Sequence, residues 1–261
     1  RRSTMRILLI RHGDPDYVND TLTEKGRHEA ALLAKRAVSM NMGECYKSPL
    51  GRAKDTATPC LEVTGKTAEI LDWLQEFPAQ VDLNKNPELE KAYPDVKKEG
   101  GYFLPRIAWD MVPGYWTEHE AYMDKNAWRE TEVAKNSDLV EVYDHVIEEF
   151  DRFLAEHGYV REGAHYRVEK ESDETVTFFC HFGISCVLLS HLWNVSPFVL
   201  WHCLALAPTS VTEVVTEERE QGTAYFRGLK VGDISHLYAG GEEPSFAARF
   251  CETYSNKEQR H

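Results

Sequence analysis

Long apolar runs and a surplus of positive charge are both absent from this sequence of 261 residues. No apolar stretch approaches the roughly 18 residues that a membrane-spanning helix needs, and the N-terminus carries no apolar leader region, so we expect no membrane partner. Lys and Arg number 30 against 43 Asp and Glu, which gives a net charge of −13. Such a chain should repel nucleic acid. A small anionic substrate would therefore need a local basic pocket.

Paired cysteine motifs are absent as well. The six cysteines stand at positions 45, 60, 180, 186, 203 and 251, and no two of them form a Cys-x-x-Cys pair. This pattern predicts reduced thiols in a cytoplasmic protein rather than a disulfide framework. We expect residues 1–4, "RRST", to be an addition in front of Met5, and no feature of the sequence indicates an oligomeric state.

What is present is an alternation of short apolar runs and amphipathic segments. The runs at 6–10, 44–49, 67–74 and 175–183 predict strands, and the segments that follow them predict helices. This alternation predicts an α/β fold, a three-layer α/β/α sandwich with a mostly parallel central sheet. An antiparallel hairpin around Gly222 is expected to close one edge of the sheet.

Local signals set the expected ends of several helices. Thr23 is expected to cap the first helix and Gly43 to end it. Pro59 is expected to kink or shorten the second helix. Ser196 and Pro197 offer an N-cap and a first-turn proline for a helix near residue 200.

Residues 78–135 interrupt the α/β pattern. Prolines punctuate this segment and its apolar periodicity fades, yet it contains eight aromatic residues, which a disordered linker would not hold. We therefore predict one domain over 5–261 with an ordered, cap-like insertion. The aromatic rings could cap a pocket and stack on a substrate, or they could form the small core of the insertion itself.

Charged and polar side chains follow two of the predicted strands where these strands end. Arg11 and His12 come directly after the first apolar run and are followed by a glycine. His181 and Gly183 repeat this arrangement of strand, histidine, glycine and helix after another apolar run. Open α/β sheets bind ligands at the carboxyl ends of their strands. Guanidinium, imidazole and helix N-terminal amide groups together suit a phosphate-bearing ligand.

Two further residues end neighbouring predicted strands. Arg52 lies just past the second strand and would complete the basic pocket, although a single arginine is usually a surface residue. Glu76 ends the third strand. Beside a phosphate pocket it is a candidate proton donor, because burial and nearby negative charge favour a protonated carboxyl group.

The ordered set of motifs resembles the histidine phosphatase superfamily, the phosphoglycerate mutase-like fold. The stretches that carry the resemblance are, in chain order, "LLIRHG", "LTEKGRHEA", "YKSPLGRAKDTA", "LQE" and "CHFG". They cover residues 5–76 and 175–217, whereas 78–135 has no counterpart that we can place. Each motif is weak by itself, and the specificity lies in their order and spacing.

The resemblance implies a role for each candidate residue. His12 would be the nucleophile that forms a phosphohistidine, Arg11, Arg52 and His181 would hold the phosphoryl oxygens, and Glu76 would protonate the leaving oxygen. An imidazole that is partly unprotonated near neutral pH can attack phosphorus without a metal ion. We therefore expect a small phosphorylated substrate, no metal and no organic cofactor.

Two other catalytic hypotheses fit the residues less well. A cysteine phosphatase needs an arginine six positions after the nucleophile, and the residue six positions after Cys180 is Cys186. His12, Asp14 and Asp16 could hold a metal ion, but the neighbouring Arg11 would repel a dication.

Two alternatives within the resemblance remain open. Sugar-phosphate mutases of this kind share an Arg-His-Gly-Glu-Ser start, where this chain has Asp14 and Pro15, and an "RHYG"-type tract that 78–135 lacks. Hydrolysis is therefore favoured over phosphoryl transfer between substrates. A non-catalytic pseudo-phosphatase that binds phosphorylated ligands is the other alternative, although every chemical position is filled.

Overall fold

The structure is a computed structural model that describes residues 4–245 and 253–255. Cys251 and the first three residues of the segment before Met5 lie outside the described residues. The chain divides into two compact units. The first comprises the residues up to Glu76, His157–Ser185 and the residues from Ala205 onward, and the second comprises Phe77–Glu156 and Cys186–Leu204.

Fourteen strands are present in the described residues. In chain order they are β1 (Arg6–Arg11), β2 (Pro15–Asp16), β3 (Thr21–Leu22), β4 (Glu44–Lys47), β5 (Ala68–Ile70), β6 (Gln80–Val81), β7 (Lys98–Glu99), β8 (Tyr102–Phe103), β9 (Arg106–Ile107), β10 (Tyr159–Glu162), β11 (His165–Val168), β12 (Thr175–Cys180), β13 (Val211–Glu220) and β14 (Thr223–Asp233).

Eight α-helices and four 3₁₀ helices connect these strands in the part of the chain that the structure describes. The α-helices are α1 (Glu24–Ala37), α2 (Gly51–Thr64), α3 (Pro113–Trp116), α4 (Glu132–Lys135), α5 (Leu139–Glu156), α6 (Phe182–Trp193), α7 (Pro197–Cys203) and α8 (Ser235–Ala239). The 3₁₀ helices are Asp72–Leu74, Pro87–Lys91, Glu120–Tyr122 and Ala127–Glu130. None of the described helices is both long and apolar enough to cross a membrane.

An eight-stranded sheet forms the centre of the first unit, in the order β10-β11-β14-β13-β1-β12-β4-β5. The α/β class is confirmed, and β1, β12, β4 and β5 run parallel as predicted. The predicted hairpin around Gly222 joins β13 to β14. The antiparallel part is wider than that one hairpin, because β10 and β11 continue it beyond β14.

The register of the two central strands determines where the site lies. In the parallel pair β1 and β12, Arg11 is opposite Cys180. The amide of His12 then donates to the carbonyl oxygen of Cys180 across 3.0 Å. The residues that directly follow these strands, His12 and His181, are therefore brought together at one edge of the sheet.

Helices α1 and α2 cover one face of this sheet. Thr23 caps α1 as predicted, since its side chain accepts a hydrogen bond from the amide of Gly26. The helix ends at Ala37 rather than near Gly43, because the amides of Ser39 and Met40 both bond to the last-turn carbonyl of Arg36. The buried side chains between the helices and the sheet are Leu8, Ile10, Leu33, Ala34, Ala37, Met42, Cys45, Ala57, Cys60, Leu61, Phe179 and Val211.

Three other local predictions had different outcomes. The strand predicted over 67–74 is cut to β5, because Asp72–Leu74 turns into a 3₁₀ helix. Pro59 lies inside α2 without ending it. Ser196 caps α7 as predicted, and its side chain accepts from the amide of Phe198.

The second unit has an aromatic core of its own. Trp109 packs against Trp201 of α7 with ring centroids 5.7 Å apart, and Tyr122 packs edge-on against Phe198 of the same helix at 5.0 Å. Trp128 also lies edge-on to Phe198, at 6.1 Å. These three rings of the aromatic-rich segment are buried, and because their partners lie in α7, outside 78–135, they form part of the core of the second unit.

Candidate active site

His12 lies at the end of β1 with its ring buried and its tautomer defined. Its side chain is only 2% exposed. Atom Nδ1 is 2.7 Å from the carbonyl oxygen of Gly13. A carbonyl oxygen only accepts hydrogen bonds, so Nδ1 carries the ring proton and Nε2 carries the lone pair. Burial, and next the charge of Arg11, hold the pKa of His12 well below its usual value, so the imidazole is neutral.

The turn after His12 is built by close backbone packing. A Cβ atom on Gly13 would lie 2.8 Å from the carbonyl oxygen of Gly26 in α1, and one on Gly26 would lie 2.3 Å from that of Asp14. Both positions therefore require glycine. The amide of Gly13 donates to Oγ1 of Thr56 in α2 at 2.9 Å, which ties the turn to a second helix.

Thr209 holds the carbonyl groups at the end of β1. Its amide donates to the carbonyl oxygens of Arg11, at 3.0 Å, and His12, at 3.1 Å. Thr209 is fully buried and has a backbone φ of +63°, in the left-handed region that non-glycine residues rarely adopt. The backbone on which the predicted nucleophile lies is thus held by residues from three separate segments.

His181 faces His12 across the edge of the sheet. The two rings have centroids 5.2 Å apart and are tilted by 59°. Nε2 of His181 lies 2.7 Å from Oγ of Ser48, at the end of β4. Among the described residues Nδ1 has no hydrogen-bond partner, although it is buried. Burial, and then electrostatic interactions with His12, Arg52 and Arg11, hold the pKa of His181 well below its usual value.

The two predicted phosphate-binding arginines are both largely buried. Nη1 of Arg11 donates to the carbonyl oxygen of Leu206 at 2.6 Å. Nη1 of Arg52 donates to Asp20 at 2.8 Å, while its Nε is buried without a hydrogen-bond partner among the described residues. The guanidinium of Arg52 also lies 5.1 Å from the ring centre of Tyr17. Both guanidinium groups act electrostatically on His12 and His181, so these contacts hold them near the two histidines.

Glu76 is held at the start of α6. Its two carboxylate oxygens accept hydrogen bonds from the amides of Gly183, at 3.1 Å, and Ile184, at 2.9 Å. The N-terminus of a helix favours negative charge, so this arrangement suits an ionised carboxylate. The amide of Gly183 thus has Glu76 as a partner, and the assignment of Gly183 to phosphate binding stays a prediction.

The structure does not favour a cysteine nucleophile or a metal site. Burial raises the pKa of the Cys180 thiol to about 12, which makes it a poor nucleophile. The carboxylate of Asp14 accepts from the hydroxyls of Thr23 and Ser245, and that of Asp16 accepts from Asn19. In the described ranges no three His, Cys, Asp or Glu side chains form a group that could hold a metal ion.

Four residues of the site were not singled out from the sequence. Ser48 and Thr56 lie within the stretch "YKSPLGRAKDTA", and their hydroxyl groups contact His181 and Gly13. Asp20 and Thr209 lie outside every motif. A small hydroxyl residue in a motif is a signal that sequence reasoning could have used, whereas the two others carry none.

Comparison with known proteins also points to phosphatases. Residues 7–102, which include His12, match the family model of the histidine phosphatase superfamily (branch 1). A probable phosphatase of Schizosaccharomyces pombe is 24% identical over 247 residues, which is 89% of this chain and 95% of the yeast protein.

Solved structures of two phosphatases have a similar fold. A mycobacterial glucosyl-3-phosphoglycerate phosphatase is 17% identical with a TM-score of 0.53, over 87% of this chain and 97% of that one. A phosphoserine phosphatase of Entamoeba histolytica, solved with phosphoserine, is 15% identical with a TM-score of 0.54, over 89% of this chain and 99% of that one. At these identities the likeness shows the fold.

Proposed function

We propose that this chain is a histidine phosphatase, as the family model that matches residues 7–102 supports, and that it hydrolyses phosphomonoesters through a phosphohistidine formed on His12. The observation that carries the proposal is the 2.7 Å contact between Nδ1 of His12 and the carbonyl oxygen of Gly13. It leaves the Nε2 lone pair available in a ring that burial keeps neutral. A neutral imidazole nitrogen is the nucleophilic form.

The reaction proceeds in two steps. Nε2 of His12 attacks phosphorus, the bond from phosphorus to the leaving oxygen breaks, and Glu76 gives that oxygen a proton. Arg11, Arg52 and His181 bind the transferring oxygens as their charge develops. Water then attacks the phosphohistidine and gives a proton to Glu76, while the phosphorus–nitrogen bond breaks. Glu76 returns this proton to the phosphate, which leaves as the monoanion, so that His12 is again neutral and Glu76 is again ionised.

The contacts of Glu76 support the substrate as the source of its first proton. Two backbone amides donate to its carboxylate, an arrangement that favours the ionised form of Glu76 before the substrate arrives. A phosphate monoester loses its second proton near pH 6. A bound monoanion therefore supplies the proton that Glu76 passes to the leaving oxygen, and the amide of Gly183 keeps the carboxylate aimed at it.

We assign no metal and no organic cofactor to this reaction. The guanidinium groups of Arg11 and Arg52 supply the positive charge that a metal ion supplies in other phosphatases. The substrate is a small phosphorylated molecule, because a chain with a net charge of −13 repels nucleic acid outside this local basic site. Buried thiols, such as that of Cys180, support the cytoplasm as its compartment.

Rapid-quench labelling with a ³²P-labelled phosphomonoester tests the proposal. Label is expected on His12, in a bond that is acid-labile and base-stable, unlike a phosphoserine ester. His12→Ala should abolish the adduct and turnover and leave the thermal unfolding transition in place. His28→Ala, which changes an exposed histidine of α1, is the matched control and should keep both.

Other outcomes would replace the proposal with one of its alternatives. Label on Cys180 or on a serine would remove His12 from the nucleophile role. If EDTA abolished turnover and Mg²⁺ or Zn²⁺ restored it, the reaction would be metal-assisted. Transfer of the label to a second phosphorylated substrate faster than to water would identify a mutase, and tight substrate binding without turnover would identify a pseudo-phosphatase.

A further inference from the structure

The hydroxyl group of Ser48 has two partners among the described residues. Its Oγ accepts a hydrogen bond from the amide of Leu50 at 3.1 Å. Its other contact is with Nε2 of His181 at 2.7 Å. Ser48 itself is fully buried at the end of β4, so its hydroxyl proton has no access to water. The group that accepts a hydrogen bond from this hydroxyl therefore determines which nitrogen of His181 is protonated.

Counting donors and acceptors assigns that proton. The amide of Leu50 can only donate, so it cannot take the hydroxyl proton. Nε2 of His181 is the one remaining acceptor within reach in the described chain, and a buried hydroxyl proton without an acceptor would cost roughly 1–3 kcal/mol. Ser48 therefore donates to Nε2. In a neutral imidazole the ring proton then lies on Nδ1.

The other ring nitrogen of His181 is the one that lacks a protein partner. Nδ1 is buried and has no hydrogen bond within the described residues. The groups that act electrostatically on this ring are His12, Arg52 and Arg11, so the ring lies among the residues assigned to the phosphoryl group. A neutral histidine has only one N–H group. If that group pointed to Ser48, Nδ1 would present a lone pair to an anionic substrate.

We infer that Ser48 is a positioning residue that holds His181 in its Nδ1–H tautomer, so that Nδ1 donates a hydrogen bond to a phosphoryl oxygen of the substrate. This inference rests on the proposed function for its ligand. Ser48 then affects substrate binding and turnover only by setting the tautomer of His181.

The tautomer can be measured directly in the whole protein. Long-range ¹H–¹⁵N correlation spectra of ¹⁵N-histidine-labelled protein distinguish a protonated from an unprotonated ring nitrogen, and His181→Asn assigns the signals. We expect His181 of the wild type to have a protonated Nδ1 that shifts when inorganic phosphate is added. In Ser48→Ala the signals should move towards the Nε2–H tautomer.

Kinetics provides the second readout. Ser48→Ala should lower kcat/KM by about 10-fold to 100-fold, by analogy with metal-bound histidines that lose the hydrogen bond that orients them. Leu50→Pro is the matched control, because it removes the amide donor and keeps the hydroxyl, and the φ of −77° at Leu50 suits proline. It should retain the Nδ1–H tautomer. Ser48→Cys, a weaker donor of similar shape, takes the place of Ser48→Ala if that variant fails to fold.

The outcomes separate this inference from the proposed function. An Nε2–H tautomer in the wild type, or an unchanged Nδ1–H tautomer in Ser48→Ala, would overturn the role of Ser48 even if His12 becomes phosphorylated. Absence of a phosphohistidine, together with a tautomer that depends on Ser48 and an Nδ1 that responds to phosphate, would overturn the reaction and keep the role of Ser48.

Discussion

The amide of Gly183 donates a hydrogen bond to Oε2 of Glu76 across 3.1 Å. These residues are 107 positions apart in the sequence, and Gly183 stands two positions after His181. The first turn of α6 therefore orients the carboxylate relative to the histidine that precedes the helix. The proposed proton donor is thus held by backbone groups, and its contribution to catalysis can be tested through the leaving group.

We expect Glu76→Gln to lose most of its activity on alkyl phosphates and much less on p-nitrophenyl phosphate. An alkoxide leaving group needs a proton in the transition state, and a positioned acid contributes about 10²-fold to 10⁴-fold. The p-nitrophenolate ion leaves without one. Steady-state kcat/KM for both substrates, compared in wild type and variant, measures the contrast. Glu69→Gln, at an exposed position of β5, should change neither value, and equal losses on both substrates in Glu76→Gln would remove Glu76 from the donor role.

Gly26→Ala should destabilise the protein and impair turnover together. The added Cβ would lie 2.3 Å from the carbonyl oxygen of Asp14, a contact with backbone that no rotamer can relieve. We expect a loss of about 3 kcal/mol in the free energy of unfolding, and a lower kcat because the turn after His12 must move. Urea denaturation and steady-state kinetics measure the two effects.

Gly114→Ala is the matched control for that variant. Gly114 lies in α3, and no heavy atom is within 4 Å of the position its Cβ would take. Alanine is the better helix former by about 1 kcal/mol, so this variant should be as stable as the wild type or slightly more stable. If both variants unfolded at the same urea concentration, the prediction that a Cβ at position 26 clashes with the turn after His12 would be contradicted.

Several parts of the fold could be predicted because their signal is local. The continuous apolar run "RILLI" and the run in β12 predict strands covered on both faces, and their ends place His12 and His181 at one edge. The cap of α1 is likewise local, since Thr23 bonds to an amide three residues away. The end of β5 was missed because its apolar pattern continues into a 3₁₀ helix.

The contacts that support the site could not be predicted in the same way. Ser48 and His181 are 133 positions apart, and their hydrogen bond exists only because β4 and β12 are neighbours in the sheet. Thr209 reaches the backbone of His12 from a loop that carries no motif. Side chains that act by holding others leave no periodicity in the sequence, so only the folded arrangement identifies them.

Glu29→Gln should stabilise the protein at alkaline pH and leave its stability unchanged at acidic pH. Glu29 is fully buried, and burial raises its pKa from 4.5 to about 7. One oxygen accepts from the amide of Asp14 at 2.8 Å, and the other has no hydrogen-bond partner among the described residues. Above pH 7 the folded protein must hold an ionised carboxylate there, whereas below pH 4.5 the group is neutral in both the folded and the unfolded state.

The expected size follows from linkage. Between pH 4.5 and 7 the folded state binds more protons at Glu29 than the unfolded state does, so this residue lowers the free energy of unfolding as the pH rises. Glutamine removes that cost, which amounts to about 3 kcal/mol at pH 8 and vanishes near pH 4. Urea denaturation at both pH values measures it. Glu24→Gln, at an exposed position of the same helix, is the control, and a gain at pH 4 as large as at pH 8 would contradict the prediction.

We expect the hydrogen bond between the side chains of Thr209 and His236 to stabilise the protein. Nη1 of Arg36 lies 3.1 Å from Nδ1 of His236, and because an arginine only donates, the ring proton of His236 is on Nε2. That N–H donates to Oγ1 of Thr209 at 2.9 Å. Thr209→Val keeps the shape of the side chain but leaves a buried N–H group without an acceptor, which should cost about 2 kcal/mol of stability.

A double-mutant cycle, together with kinetics, tests whether this hydrogen bond also holds His12, the proposed nucleophile, in position. Thr209 has an unusual φ of +63°, and its amide donates to the carbonyl oxygen of His12, so we expect the bond to His236 to help hold Thr209 in this conformation. Thr209→Val should therefore lower kcat by about 10-fold as well, since a small misplacement of a reacting group costs rate steeply, while Thr209→Ser retains the hydroxyl and the rate. In combination with His236→Gln the two losses of stability should fall short of additivity by about 1 kcal/mol. Strictly additive losses, or a kcat that stays at the wild-type value in Thr209→Val, would show that the hydrogen bond stabilises the fold without positioning His12.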